Sequence, residues 1–186
     1  SIGFLISEDT AMIWRGPMVI SAVNQMLNDV EWGELDYLIV DMPPGTGDVQ
    51  LTMAQKVPMS GAVIVSTPQD LALIDAKKGI EMFKKVNVPI LGMIENMSSF
   101  ICPYCTNETH IFGSEGVKIE AKNQIVDFLG SLPLEVELRE SSDSGRPIVY
   151  YSNESMVSKK FIDIAIMITN KTRNVSKIKK PNIIIN

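Results

Sequence analysis

The sequence predicts an α/β fold: a mostly parallel sheet with helices on both faces. Short, β-branched apolar runs alternate with helical patterns along the chain, and several runs are apolar throughout instead of alternating with polar residues. Strand, helix, strand in succession is the mark of a parallel sheet with crossover helices. Strands buried on both faces read as unbroken apolar runs. No internal repeat or low-complexity stretch interrupts the series.

The expected strands, in order, are residues 2–6, 37–41, 62–66, 90–95 and 128–132, each a short apolar run such as Tyr37-Leu38-Ile39-Val40-Asp41. The expected helices are 19–30, 49–55, 71–86, 115–127 and 155–169. Pro17 suits the first turn of the first of these. Arg15, just before it, is either a plain helix start or a residue near bound phosphates or a dimer face. Lys77, Lys78, Lys84 and Lys85 fall on the third helix and read as a solvated face. The eleven methionines, spread over strands and helices, read as core filler.

Composition narrows the class. The 186 residues, 45% hydrophobic and 21% charged, are enough for one domain with a real core. The net charge is −5, yet Lys171, Arg173, Lys177, Lys179 and Lys180 give residues 171–186 a charge of +5, leaving −10 on the rest. An acidic body argues against nucleic-acid binding, which needs a basic face. The reading is therefore a domain over 1–170 and a basic, flexible tail over 171–186. The longest apolar runs fall far short of the roughly 18 residues a membrane span needs. Ser1 stands where a Met is usual and an apolar run starts at the second residue, so the expectation is a piece of a longer, intracellular protein.

The chemistry concentrates in two places. Leu38-Ile39-Val40-Asp41 is an apolar run ending in a carboxylate, followed by Met42-Pro43-Pro44-Gly45-Thr46-Gly47-Asp48. Ligands of open α/β sheets bind outside the carboxyl ends of the strands, where a carboxylate commonly holds Mg²⁺ beside phosphates. Glycines there allow close backbone approach and present N–H donors. The plainer alternative is a strand-to-helix turn with Asp48 as the helix N-cap. The second place is Cys102-Pro103-Tyr104-Cys105, which holds both cysteines. An iron–sulfur cluster normally takes four thiolates, so two chains related by a two-fold axis would complete the set. A redox dithiol is a rival, although Asn107-Glu108-Thr109 after the motif reads as a loop and not as a helix. A zinc site recruiting His110 is another, with its fourth ligand not evident; otherwise His110, the only histidine, reads as a loop residue packing near the cysteine segment.

The string from Trp32 to Asp48 closely resembles the signature of the Mrp/ApbC family, P-loop ATPases that carry iron–sulfur clusters and are related to the MinD and nitrogenase iron-protein group. The resemblance extends from Trp14-Arg15-Gly16-Pro17 through Glu95-Asn96-Met97-Ser98, the two cysteines and His110-Ile111-Phe112-Gly113. It continues to Leu138-Arg139-Glu140 and Gly145-Arg146-Pro147, covering residues 1 to about 170. It implies that Asp41 positions Mg²⁺, that the Gly45 N–H senses the γ-phosphate, and that Asn96 pairs with the adenine edge, for which an amide has the right donor and acceptor. A turn-forming Asn is the alternative for Asn96. It implies further that Cys102 and Cys105 hold a labile cluster, of the [4Fe–4S] type, bridged between two subunits and passed on to apo-proteins.

One family part is not in this sequence. A phosphate loop needs Gly-x-x-x-x-Gly-Lys-Ser/Thr, and there is no Gly-Lys dipeptide; Lys78-Gly79, the only Lys-Gly, falls in a helical pattern. The expectation is a C-terminal part that does not hydrolyse ATP alone, with ATP and Mg²⁺ belonging to the full-length protein. Alternatives are a non-catalytic remnant that acts through dimerisation and a MinD-like membrane-positioning ATPase. Against the latter, Lys177-Ile178-Lys179-Lys180-Pro181 is too short and proline-broken to be an amphipathic anchor. Neither a membrane nor a nucleic acid is expected as partner. Unpaired cysteines suit the bacterial cytoplasm or the mitochondrial matrix.

Overall fold

The computed structural model describes residues 16–42 and 47–175, and the chain divides into two compact units between Pro58 and Met59. The expected strand over 2–6, together with Arg15, Gly45 and residues 176–186, lies outside the described residues.

In the first unit, α1 (Gly16–Asn28) packs on α2 (Asp48–Lys56). Ala22, Met53 and Ala54 are buried between them. The Trp32 Nε1–H donates to the Met26 carbonyl at 3.1 Å, folding the segment after α1 back on it. The residue before α2 is Gly47, with no side-chain cap, so Asp48 is the first helical residue and not the N-cap.

The expected strand over 37–41 is absent. Those residues are irregular, and Ile39 is 84% exposed. The strand preference of Tyr-Leu-Ile-Val is realised only through pairing and burial, and this run pairs with no strand among the described residues.

The second unit holds the parallel sheet. β1 (Ala62–Ser66) and β5 (Phe128–Ser131) flank β2 (Ile90–Glu95), with Ile64 opposite Met93 and Ile94 opposite Gly130. β1 and β2 are joined by α3 (Asp70–Lys85). Between β2 and β5 come a small antiparallel hairpin, β3 (Phe100–Ile101) and β4 (Glu108–Thr109), and then α4 (Gly116–Gln124). After β5 follow α5 (Val136–Asp143), α6 (Ile148–Tyr151) and α7 (Met156–Val175).

Helices cover both faces, as the sequence predicts. Side chains alternate along a strand, and Gly79 of α3 approaches Ile64, while Ile164 of α7 lies over Gly130 on the opposite face. The α7 face carries a core of Ile94, Leu129, Leu132 and Ile164, with Val63 and Phe161 packed against it. Met93 and Ile80 are fully buried and Met53 and Met82 nearly so, as core filler should be, whereas Met18 and Met156 are exposed.

Helix ends differ from expectation in both directions. α4 stops at Gln124, because Ile125 takes a left-handed conformation (φ 57°) and closes the helix. α7 runs to Val175, so the first residues of the predicted tail are helical, and Lys171 pairs with Asp127. The α3 lysines are more than a solvated face. Lys77 bridges to Glu120 of α4 at 3.1 Å, and Lys84 reaches both Glu81 and Gln124.

Glu120 is only 4% exposed. Burial pushes its carboxyl up, but hydrogen bonds from Gln124 and Lys77, the Lys77 charge and a bond from Asn123 outweigh burial and hold it below the usual range. A depressed folded value favours the ionised form in the native state. Its stabilisation is therefore full above the ordinary carboxylate value of about 4.3 and lost as pH falls through the folded value. Glu120→Gln is expected to lower Tm at pH 7 by a few degrees, roughly the worth of one charge-assisted pair. The same change flattens the fall of Tm with acid, which thermal melts across the acidic range would measure.

Candidate functional site

The end of β2 organises the site. Glu95, 4% exposed, turns its carboxylate to α4, where Oε2 accepts the Val117 N–H at 3.0 Å. An anion at a helix N-terminus is favoured by the free N–H groups and the helix dipole. Gly116, which opens that helix, sits against Pro68 so tightly that a Cβ would lie 2.2 Å from the Pro68 carbonyl oxygen. Gly116→Ala is expected to cost about 2 kcal/mol, as overpacking against backbone does, read as a lower denaturation midpoint at unchanged slope.

Past Glu95 the chain turns at Asn96 and Met97. The Asn96 N–H donates to the Ser66 carbonyl at 2.8 Å, and its side-chain Oδ1 accepts the Met97 N–H at 3.0 Å, with Met97 at φ 54°. Asn96 is thus half-buried at a strand end and also serves the turn.

The next residues lash the hairpin to the end of β5. Ser98 donates to the Leu132 carbonyl from both its N–H (3.0 Å) and its Oγ (3.1 Å). The Leu134 N–H donates to the Ser99 carbonyl at 2.7 Å, and Phe100 forms a bridge with Leu134. The hairpin then pairs Phe100 with Thr109 and Ile101 with Glu108.

Its connecting loop carries the two cysteines. The Cys102 N–H donates to the Asn107 carbonyl at 3.0 Å and the Thr106 N–H to the Cys102 carbonyl at 2.9 Å, so the loop is closed on itself. Both thiols are free; Cys102 is half-buried, Cys105 is exposed, and Tyr104 between them is 96% exposed. The N–H groups of Tyr104 and Cys105, followed by the Cys105 thiol, pull the Cys102 thiol below its ordinary value against a smaller opposing effect of burial. Thiolate is the form that binds metal.

The His110 ring closes the base of the hairpin, with Nδ1 2.8 Å from the Ser98 carbonyl oxygen. Among the described residues no three His, Cys, Asp or Glu side chains converge as a metal site. The two thiols are the metal donors this loop offers, and His110 does not join them.

Of the residues read from sequence, the structure brings Cys102 and Cys105 together and sets Asn96 at the end of β2 in the same unit. Asp41 is exposed on irregular chain in the other unit, and Gly45 falls outside the described residues. The hairpin itself was not expected: Glu108-Thr109, read as loop, is a strand. Two-residue strands are too short to show a period of two. The partners of Ser98 and His110 are likewise invisible in the sequence, since Ser98 meets Leu132, 34 residues on, and the His110 ring meets Ser98, twelve residues back.

The parallel sheet covered by helices on both faces defines an α/β protein of the doubly wound kind. A solved nucleotide-binding protein from Archaeoglobus fulgidus, in complex with ADP, matches with a TM-score of 0.64 and 40% identity, over 72% of this chain and 55% of that one. The family model described as ParA, NUBPL iron-transfer P-loop NTPase, matches residues 1–169, and the chain belongs to that family. An iron-sulfur cluster transfer protein NUBPL from Dictyostelium discoideum is 53% identical over 191 residues, covering 100% of this chain and 59% of the relative. An iron-sulfur cluster carrier protein from Haemophilus influenzae is 52% identical over 165 residues, 89% of this chain and 45% of the relative. The chain spans about half the length of these relatives.

Proposed function

We propose that this protein carries an iron–sulfur cluster as cargo, held by Cys102 and Cys105 of two copies, and delivers it to apo-proteins. The observation that carries the reading is the hairpin: two free thiols on one closed loop, one of them with its proton loosened, on a base tied to the sheet. Two thiolates are half of a usual cluster ligand set, and a two-fold axis supplies the other half. The names of the relatives, cluster transfer and cluster carrier proteins, favour delivery over storage. A [4Fe–4S] cluster bridging a homodimer is the form we infer.

ATP and Mg²⁺ belong to the reading through family membership, with Asp41 at the Mg²⁺, Gly45 at the γ-phosphate and Asn96 at the base. With its Oδ1 committed to Met97, Asn96 would meet a base edge through its Nδ2 donors. The residues of this chain do not build a phosphate cradle, because the sequence contains no Gly-Lys. Free thiols fit a reducing compartment, the bacterial cytoplasm or the mitochondrial matrix.

The test is transfer. The chain is reconstituted with iron and sulfide under anaerobic conditions and mixed with the apo form of a [4Fe–4S] dehydratase in the presence of a chelator. The recipient is expected to regain activity faster than with free iron and sulfide. Recovery no faster than that control would contradict the carrier reading.

A further inference from the structure

We propose that His110 is a positioning residue of the cysteine hairpin, its ring pinning the return strand to Ser98 so that Cys102 and Cys105 meet the cargo at one fixed spacing; this rests on the cluster reading above. The two legs of the hairpin are held very differently. The outgoing leg is fixed to the end of β5 through Ser98, Ser99 and Phe100. The return leg is exposed at Glu108 and Thr109, and its ladder consists of two residue pairs. A two-stranded hairpin on its own is marginal in water.

His110 follows directly after β4 and reaches back across the base. A carbonyl oxygen only accepts, so at 2.8 Å Nδ1 carries the hydrogen and donates it to Ser98. Ser98 is a firm anchor, since its N–H and Oγ both bind the Leu132 carbonyl. The ring thus extends the two-pair ladder by a third rung, made by a side chain and grounded in the sheet. Loss of that rung frees the return leg, and with it the Asn107 carbonyl and the Thr106 N–H that close the loop around Cys102.

The test compares His110→Ala with His110→Asn, whose side-chain N–H falls close to the position of Nδ1–H. His110 is exposed, so neither change removes core packing. The first readout needs no iron: hydrogen exchange at the Cys102 and Thr106 amides. His110→Ala is expected to speed it by roughly fivefold, the worth of one neutral hydrogen bond, and His110→Asn to restore it. The second readout is loss of iron from the reconstituted chain to a chelator, which should follow the same order. Unchanged exchange in His110→Ala, or exchange equally fast in His110→Asn, would overturn the positioning role while leaving iron binding intact. A wild-type chain that takes up no iron overturns instead the cluster reading, whatever the exchange shows.

Discussion

Gly92→Ala is expected to be the most destabilising single substitution among these, costing about 3 kcal/mol or more, with Tm lowered on the order of 10 °C. Two independent effects add. Gly92 has φ +152°, a conformation that residues with a Cβ rarely adopt, and a Cβ there would lie 2.6 Å from both the Asp127 carbonyl oxygen and Leu129 Cγ. The same carbonyl accepts the Met93 N–H at 2.8 Å, so it cannot retreat without breaking the junction of β2 with the entry to β5. Gly79→Ala is the control. Gly79 lies in the middle of α3, where a Cβ would meet only Ile64 at 4.0 Å, and Ala there should stabilise by about 0.5–1 kcal/mol. Thermal melts of the two variants side by side would check both signs.

Cys102→Ser carries the largest functional effect. Iron retained after reconstitution and desalting is expected to fall at least about tenfold, because a serine hydroxyl stays protonated where the thiol ionises and is a far harder ligand. Cys105→Ser should lose iron to the same extent. Neither change should move Tm appreciably, since both residues sit on an outer loop and surface substitutions usually stay within about 0.5 kcal/mol. Loss of iron with an unchanged melt separates a ligand from a structural residue. The lowered Cys102 thiol should also show in the apo chain as faster alkylation near neutral pH than an ordinary cysteine, with the rate levelling off earlier as pH rises.

What was legible in the sequence follows from where the information lies. The strands over 62–66, 90–95 and 128–132 and the helices between them announce themselves, because burial on two faces demands continuous apolar runs and amphipathic helices to cover them. The run over 37–41 has the same composition yet is not a strand, because a strand exists only with its neighbour. Helix ends were misplaced where a single backbone conformation decides, as at Ile125. The site divides in the same way. Cys102 and Cys105, the proposed ligands, are legible as candidates because ligand chemistry is written in residue type and spacing. The device that holds them is not, since the Ser98–His110–Leu132 contacts join residues far apart in the chain. Lys77 is exposed, as the solvated face of α3 requires, but its pairing with Glu120 is not legible, because the partner comes from another helix.

Sharing of one cluster between the cysteine hairpins of two copies can be read by native mass spectrometry of the anaerobically reconstituted chain. The expected species is a dimer carrying about four irons and as many sulfides, collapsing to an iron-free monomer in Cys102→Ser/Cys105→Ser. A monomer that keeps its iron, or a dimer that persists unchanged with both cysteines replaced, would contradict it.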